Sequence, residues 1–276
     1  LNKEADMKFT IIVVSLNAGE ELKRTVDSIL AQQFYDYEIL IKDGESKDGS
    51  LELLQESEKI RIISQKDTSI YDAMNQAVIE AKGEYYLFLN CGDYFYNSEV
   101  LSTVAEFIQK KNSLDGNATR IFYGDLYRRT QGLIDSCAHT ITDFVCYRNI
   151  PCHQVCFYDR ALFEQRGYDL TYPVRADYEH FLWCRYAQKA ECHYIPVVVA
   201  SYEGGGFSET KENLKKADLE HKVITKKYLG GKCYWYRLAM ILTLQPLRKR
   251  IAKSKHLSGL YQKLKKLCYQ KERKSL

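Results

Sequence analysis

The sequence predicts an α/β fold: a mixed, mainly parallel sheet flanked by helices. Two observations lead there. Over the first hundred residues, apolar runs of strand length alternate with segments of helical spacing, joined by short polar turns. Four of those runs end on a polar side chain, Asn17, Asp43, Asp67 or Asp93, and open sheets of this kind gather ligands at the carboxyl ends of their strands. Composition agrees. A chain of 276 residues with 45% hydrophobic and 28% charged residues, 15 Gly and 4 Pro is neither collagen-like nor wholly disordered.

Thr10 to Leu16 is a continuous apolar run of the kind a strand buried on both faces needs. Asn17-Ala18-Gly19 breaks it, and Leu22, Val26, Ile29 and Leu30 then recur at helical spacing. Tyr37 to Ile41 is the second strand. Asp48 or Ser50 is placed to cap a helix containing Leu51, Leu53 and Leu54. Ile60 to Ile63 is a third strand, 71–81 a helix, and Glu84 to Leu89 a fourth strand ending at Asn90-Cys91-Gly92-Asp93. Further on, Ile121 to Tyr127, Val155 to Tyr158 and Tyr194 to Ala200 read as strands. Asp177 to Gln188 and residues 210–229 read as helices.

Charge divides the chain. Residues 232–276 hold thirteen Lys/Arg and one acid, Glu272, a local charge of +12, which leaves −8 for residues 1–231 out of a total of +4. We therefore expect a domain over 1–231 and a basic amphipathic helical tail over 232–276, interrupted at Pro246. Within the tail, Leu257, Leu260, Tyr261, Leu264, Leu267 and Cys268 form one narrow apolar stripe among lysines, the pattern of an interfacial helix. Trp235 and Tyr236 suit the headgroup region. The expected partner of 233–271 is an anionic membrane surface. Packing on the acidic body or on a second subunit, in a homo-oligomer, is the alternative. No nucleic-acid motif accompanies the charge, so no nucleic-acid partner is expected. No apolar run reaches the length of a spanning helix, and Leu1 to Lys8 do not resemble a secretory leader. The nine cysteines lack regular spacing and read as reduced thiols; Cys152-His153-Gln154-Val155-Cys156 has no second ligand pair for zinc.

Several side chains carry chemistry. Asp93, just past a buried strand and beside Gly92, suits a divalent cation, magnesium or manganese, shared with phosphate oxygens; as an alternative it caps a turn. Asp43 is placed to accept hydrogen bonds from a ribose or base, or else to close a plain turn. Asp72 and Asn75 lie three apart on one helical face, toward either a cleft or solvent.

Together these segments resemble the family-2 glycosyltransferases, which have the GT-A fold. The resemblance runs through Ile12-Val13-Val14-Ser15-Leu16-Asn17, Ala31-Gln32-Gln33, Lys42-Asp43-Gly44-Glu45-Ser46-Lys47-Asp48-Gly49-Ser50, Ile70-Tyr71-Asp72-Ala73-Met74-Asn75 and Gly83 to Asp93. It continues through Pro151-Cys152-His153-Gln154 and Arg175-Ala176-Asp177-Tyr178-Glu179 to about residue 205. It implies an inverting, metal-dependent transfer from a nucleotide-sugar to a hydroxyl, in the manner of bacterial enzymes of polysaccharide, O-antigen or capsule synthesis. The acceptor would be a lipid-linked saccharide at the cytoplasmic face of the inner membrane. By the resemblance, Ser15, Asn17, Asp43, Asp72, Asn75 and Asn90 belong to the nucleotide-sugar pocket, and Asp93 to the metal. Asp177 is the catalytic base, with Glu179 as its rival, and His153, Gln154 and Arg175 lie on the acceptor side. Asn90 and Gly92 stand where many relatives have acids, so Asp93 is the motif's only carboxylate; His180 or His193 is an open choice for a further metal ligand. A nucleotidyltransferase is disfavoured, because Ser15-Leu16-Asn17-Ala18-Gly19 lacks a Gly-rich loop with a basic residue. A catalytically silent scaffold remains the non-enzyme alternative.

Overall fold

The computed structural model describes residues 7–54, 57–115, 118–204, 206 and 210–242. The first apolar run forms β1 (Met7–Ser15), buried almost throughout. Helix α1 (Glu20–Leu30) follows, with Glu20 and Glu21 in its first turn, where the helix dipole favours acids, and Leu22, Val26 and Ile29 turned inward. Strand β2 (Tyr37–Asp43) is buried at every residue. Strand β3 (Ile60–Ser64) is more exposed. Ser69 caps α2 (Ile70–Glu80) by accepting from the Asp72 N–H. Next come β4 (Gly83–Phe88), the two-residue β5 (Tyr94–Phe95), α3 (Val100–Asp115) and β6 (Arg120–Arg128). They are followed by β7 (Leu133–Asp135), α4 (Asp143–Arg148), β8 (Cys156–Asp159), α5 (Arg160–Gln165), α6 (Ala176–Tyr186) and β9 (Glu191–Tyr202). The last two elements are α7 (Lys211–Leu229) and α8 (Lys232–Leu242).

Among the described residues the strands form one sheet in the order β3-β2-β1-β4-β8-β6-β9-β5, with β7 beside β6. The half β3-β2-β1-β4 is parallel; β8 enters antiparallel to both β4 and β6, and β9 returns parallel to β6. Close approach of β4 to β1 requires Gly83: a Cβ there would lie 2.3 Å from the Thr10 nitrogen. The Gly83 N–H donates to Thr10 Oγ1 at 2.8 Å instead.

Two expectations are corrected. No α-helix follows Ser50; Leu51–Leu53 is a single 3-10 turn, and Ser50 makes no side-chain cap. Asp48 Oδ1 accepts from the Ser50 N–H and its Oδ2 from the Gly19 N–H, so the carboxylate ties two loops together rather than starting a helix. Helix α3 and the short α4 and α5 are elements the sequence reading passes over. Val100, Leu101, Val104 and Ile108 of α3 are nonetheless buried at helical spacing.

The chain divides into two units, Leu1–Ile224 and Thr225–Leu276. In the second unit α8 buries none of its residues and exposes Tyr234, Trp235, Ile241 and Leu242. The expected stripe helix over 255–271 and the break at Pro246 lie outside the described residues.

Candidate active site

A cleft of about 700 Å³ opens at the carboxyl ends of β1 and β4. Its wall includes Leu16, Asn90, Asp93, His153, Arg175 and Asp177. Asp93, singled out by its chemistry, and Asp177, singled out by the resemblance, both line this one cavity although they lie far apart in the chain.

Asp93 is held by a tight turn past β4. Its N–H donates to the Asn90 carbonyl at 3.0 Å, and Gly92 takes φ +89°, a conformation that favours glycine. The Gly92 N–H is bound by Thr25 Oγ1 and its carbonyl by Arg129 Nη2. Only 4% of Asp93 is exposed, and Gln154 Nε2 donates to its Oδ2 at 3.0 Å. Burial pushes its carboxyl up to about 6, against the opposing pull of Gln154, His153 and Arg129. A carboxylate so starved of solvent gains from a cation. A single buried carboxylate suits a hard divalent ion whose other ligands are phosphate oxygens and water. Among the described residues no group of three or more His, Cys, Asp or Glu could hold a metal by itself.

Asp177 stands in the first turn of α6. Its carboxylate meets three donors: His153 Nδ1 at 3.1 Å on Oδ2, and the Tyr178 N–H at 2.8 Å and Tyr71 Oη at 2.9 Å on Oδ1. Burial is the largest influence and pushes its pKa upward, but His153, Tyr71 and the Tyr178 N–H together outweigh it and hold the group below the usual carboxylate range. The backbone just before α6 is fixed from α7, where Glu220 Oε2 accepts from the N–H groups of Val174 and Arg175 at 3.2 and 2.8 Å. Arg175 Nε in turn donates to the Ala217 carbonyl at 3.0 Å. Glu179 does not line the cleft: it is wholly buried and paired with Arg166, whose Nη2 lies 2.5 Å from Oε2.

The other strand-end polar groups knit loops. Asn17 Oδ1 accepts from the Lys47 N–H, and the Asn17 N–H donates to Ser46 Oγ. Asp43 accepts from the Ser46 N–H, Ser46 Oγ and Ser64 Oγ and is fully buried. Asp67 is paired with the buried Lys42. Ser15 is buried, its carbonyl accepting from the Gly44 N–H. Asp72 accepts from the Thr68 N–H and hydroxyl, closing the turn before α2. Asn75 clamps the Tyr168 backbone, accepting its N–H at 2.7 Å and donating to its carbonyl at 2.9 Å. Of the six residues expected in the sugar-nucleotide pocket, Asn90 is on the cleft wall; Ser15, Asn17, Asp43, Asp72 and Asn75 are not. His180 is buried among the rings of Phe163, Tyr158 and Tyr168, and His193 pairs with Glu191, so neither reaches Asp93. His153 and Gln154, expected on the acceptor side, are bonded to the two acids themselves.

Tyr71 was missed, although it lies within the Ile70 to Asn75 segment, one residue before Asp72. Arg128 and Tyr202 also line the cleft, and no sequence motif marks them. The eight cysteines among the described residues are free. Cys152 Sγ contacts Gln154 Oε1, and Cys156 Sγ faces the Cys152 carbonyl, leaving no zinc site there.

The half-parallel sheet and the acid-lined cleft at its strand ends define a glycosyltransferase of GT-A architecture. The chain belongs to Glycosyl transferase family 2, whose profile it matches over residues 10–167. It is 35% identical over 225 residues to a PGL/p-HBAD biosynthesis glycosyltransferase of Mycobacterium bovis (strain BCG / Pasteur 1173P2), covering 78% of this chain and 86% of that one. Its fold matches S. aureus TarS 1-349 in complex with UDP, with a TM-score of 0.59 at 17% identity over 89% of this chain and 78% of that one. Of a longer TarS chain it spans 43%, at a TM-score of 0.61 and 16% identity over 81% of this chain. It also matches the mannosyltransferase PcManGT from Pyrobaculum calidifontis in complex with GDP-Man and Mn2+, with a TM-score of 0.55 at 13% identity, covering 95% and 87%.

Proposed function

We propose that residues 1–231 form an inverting, metal-dependent glycosyltransferase domain. It would move a sugar from a nucleotide-sugar to a hydroxyl of a lipid-linked saccharide during cell-surface glycan synthesis. The observation that carries this reading is the meeting of Asp93 and Asp177 in one cleft. Asp93 would hold the divalent cation, with the donor's diphosphate oxygens as further ligands. When bound, the cation offsets the charge that builds on the departing phosphates. Asp177 takes the proton of the acceptor hydroxyl as its oxygen bonds to the anomeric carbon. The bond from that carbon to the diphosphate oxygen breaks on the opposite face, and the diphosphate leaves with the electron pair. A carboxylate offers about four lone-pair sites, so three donors leave Asp177 one for the acceptor.

The similar proteins support the substrate class: one is a PGL/p-HBAD biosynthesis glycosyltransferase, and others were solved with UDP or with GDP-Man and Mn2+. Among the described residues no helix is long and apolar enough to cross a membrane. The exposed Tyr234, Trp235, Ile241 and Leu242 of α8, followed by a basic sequence, support peripheral attachment of the tail, residues 232–276, to an anionic leaflet, the cytoplasmic face of the inner membrane. A panel of UDP-, GDP- and dTDP-sugars, each with and without Mn2+, tests the proposal. Thermal stabilisation by one donor, turnover onto a glycolipid acceptor, and loss of turnover in Asp93→Ala and Asp177→Ala are expected. Full turnover in both variants would overturn the roles.

A further inference from the structure

His153 and Gln154 are neighbours in the 3-10 turn His153–Val155, and each holds one of the two acids. His153 Nδ1 lies 3.1 Å from Asp177 Oδ2; Gln154 Nε2 lies 3.0 Å from Asp93 Oδ2. Both side chains are almost wholly buried. We propose that this dipeptide is a bracket that sets the two carboxylates relative to each other, with Gln154 positioning the cation-binding acid and His153 the base. The inference rests on the roles given above to Asp93 and Asp177.

Each half of the bracket has its own orienting contact. His153 Nδ1 donates to the Asp177 carboxylate, and on the other side of the ring the Asn90 side-chain amide lies 3.2 Å from Nε2. Asn90 sits at the end of β4, three residues before Asp93, so the base is tied through His153 to the segment that carries the other acid. Gln154 is fixed similarly. Its Oε1 meets the Cys152 thiol, which burial pushes up to about 12 and so keeps protonated as a donor. With Oε1 engaged there, Nε2 is left to face Asp93. By donating to Oδ2, Gln154 fixes the plane of the Asp93 carboxylate and leaves Oδ1 for a cation. Neither His153 nor Gln154 is a catalytic residue on this account. They act through the acids.

The bracket predicts a crossed signature. Binding of Mn2+ alone, followed by its EPR signal, is measured beside kcat and donor KM at saturating Mn2+. Gln154→Leu is expected to weaken Mn2+ binding at least tenfold, with kcat kept within about threefold. His153→Leu is expected to lower kcat at least tenfold, with Mn2+ affinity and donor KM each kept within about threefold. His153→Asn, whose Nδ2 takes the place of the imidazole Nδ1, is expected to recover most of that kcat. If a leucine variant does not fold, the same readouts are taken on Gln154→Asn and His153→Gln, which stay polar but displace the donor. The bracket is overturned if neither variant departs from wild type, or if each shifts both readouts together, as general loosening of the turn would do. Asp93→Ala and Asp177→Ala serve as the control. If they too retain turnover, the roles of the acids fail; if they are inactive while the His153 and Gln154 variants behave as wild type, only the bracket fails.

Discussion

Replacing Asp177 by asparagine keeps the side chain's shape and removes its capacity to take a proton. Loss of a positioned general base costs about 10²–10⁴-fold in rate, or about 3–5 kcal/mol of barrier. With Asp177 in the proposed role, this loss is expected in kcat rather than in folding. Asp177 accepts from His153, Tyr71 and the Tyr178 N–H. An asparagine Oδ1 left in the place of the aspartate Oδ1 keeps the two shorter contacts, from Tyr71 and the Tyr178 N–H, weakened together by about 1 kcal/mol as the charge is lost, while its Nδ2 faces His153. Relief from burying a charge offsets part of that. The melting temperature is therefore expected to move by no more than about 4 °C. Donor KM is expected to hold, because Asp93 is untouched. The assay is steady-state transfer with a saturating donor beside a thermal melt. A variant that retains kcat within tenfold would refute the reasoning. So would one that loses activity only through a raised donor KM.

Two further predictions follow from burial. The Asp93 carboxyl titrates at about 6, above the 3.8 of an unperturbed aspartate, so the folded protein binds the extra proton between those values and the proton competes with the cation. Stability from this group is greatest below about pH 4 and declines as pH rises toward 6. Cation affinity runs the opposite way, with apparent Mn2+ affinity about tenfold weaker at pH 5 than at neutral pH, read by titration and reversed by added Mn2+. Asp177, held below the usual range, stays ionised through the same window and does not set that limb. In the second case, Arg166→Met removes the ion-pair partner of the buried Glu179 and is expected to cost about 3–5 kcal/mol, while Arg166→Met with Glu179→Leu recovers most of it; denaturant melts of the two variants check this.

Much of the parallel half of the sheet is legible in the sequence. The runs Thr10 to Leu16 and Tyr37 to Ile41 have the length and the Ile/Val/Leu content of buried strands, and β1 and β2 are such strands, although Leu16 lies past the end of β1 and is exposed. Asp93 and Asp177 are legible by a different route, since each falls within an ordered motif whose chemistry needs an acid. Asn75 shows where reading fails. Its clamp is on the backbone of Tyr168, 93 residues further on, and helical spacing says nothing of what the helix packs against. The same distance hides the partners of Gln154 and His153, 61 and 24 residues from the acids they hold. Asp48 misleads for a local reason: an acid before an apolar triplet fits a capped helix and also a loop latch, and only the facing Gly19 N–H decides.

The loops after β1 and β2 are stitched to each other by Asn17 with Ser46 and Lys47, and by Gly19 with Asp48. Neither loop is free to swing alone. A movement of either loop relative to the other would break these contacts, so the rim beside the cleft is built from two loops joined as one piece. Altering donor preference on this side would require redesigning both loops as a unit, because a single exchange in one would be resisted by its stitches to the other.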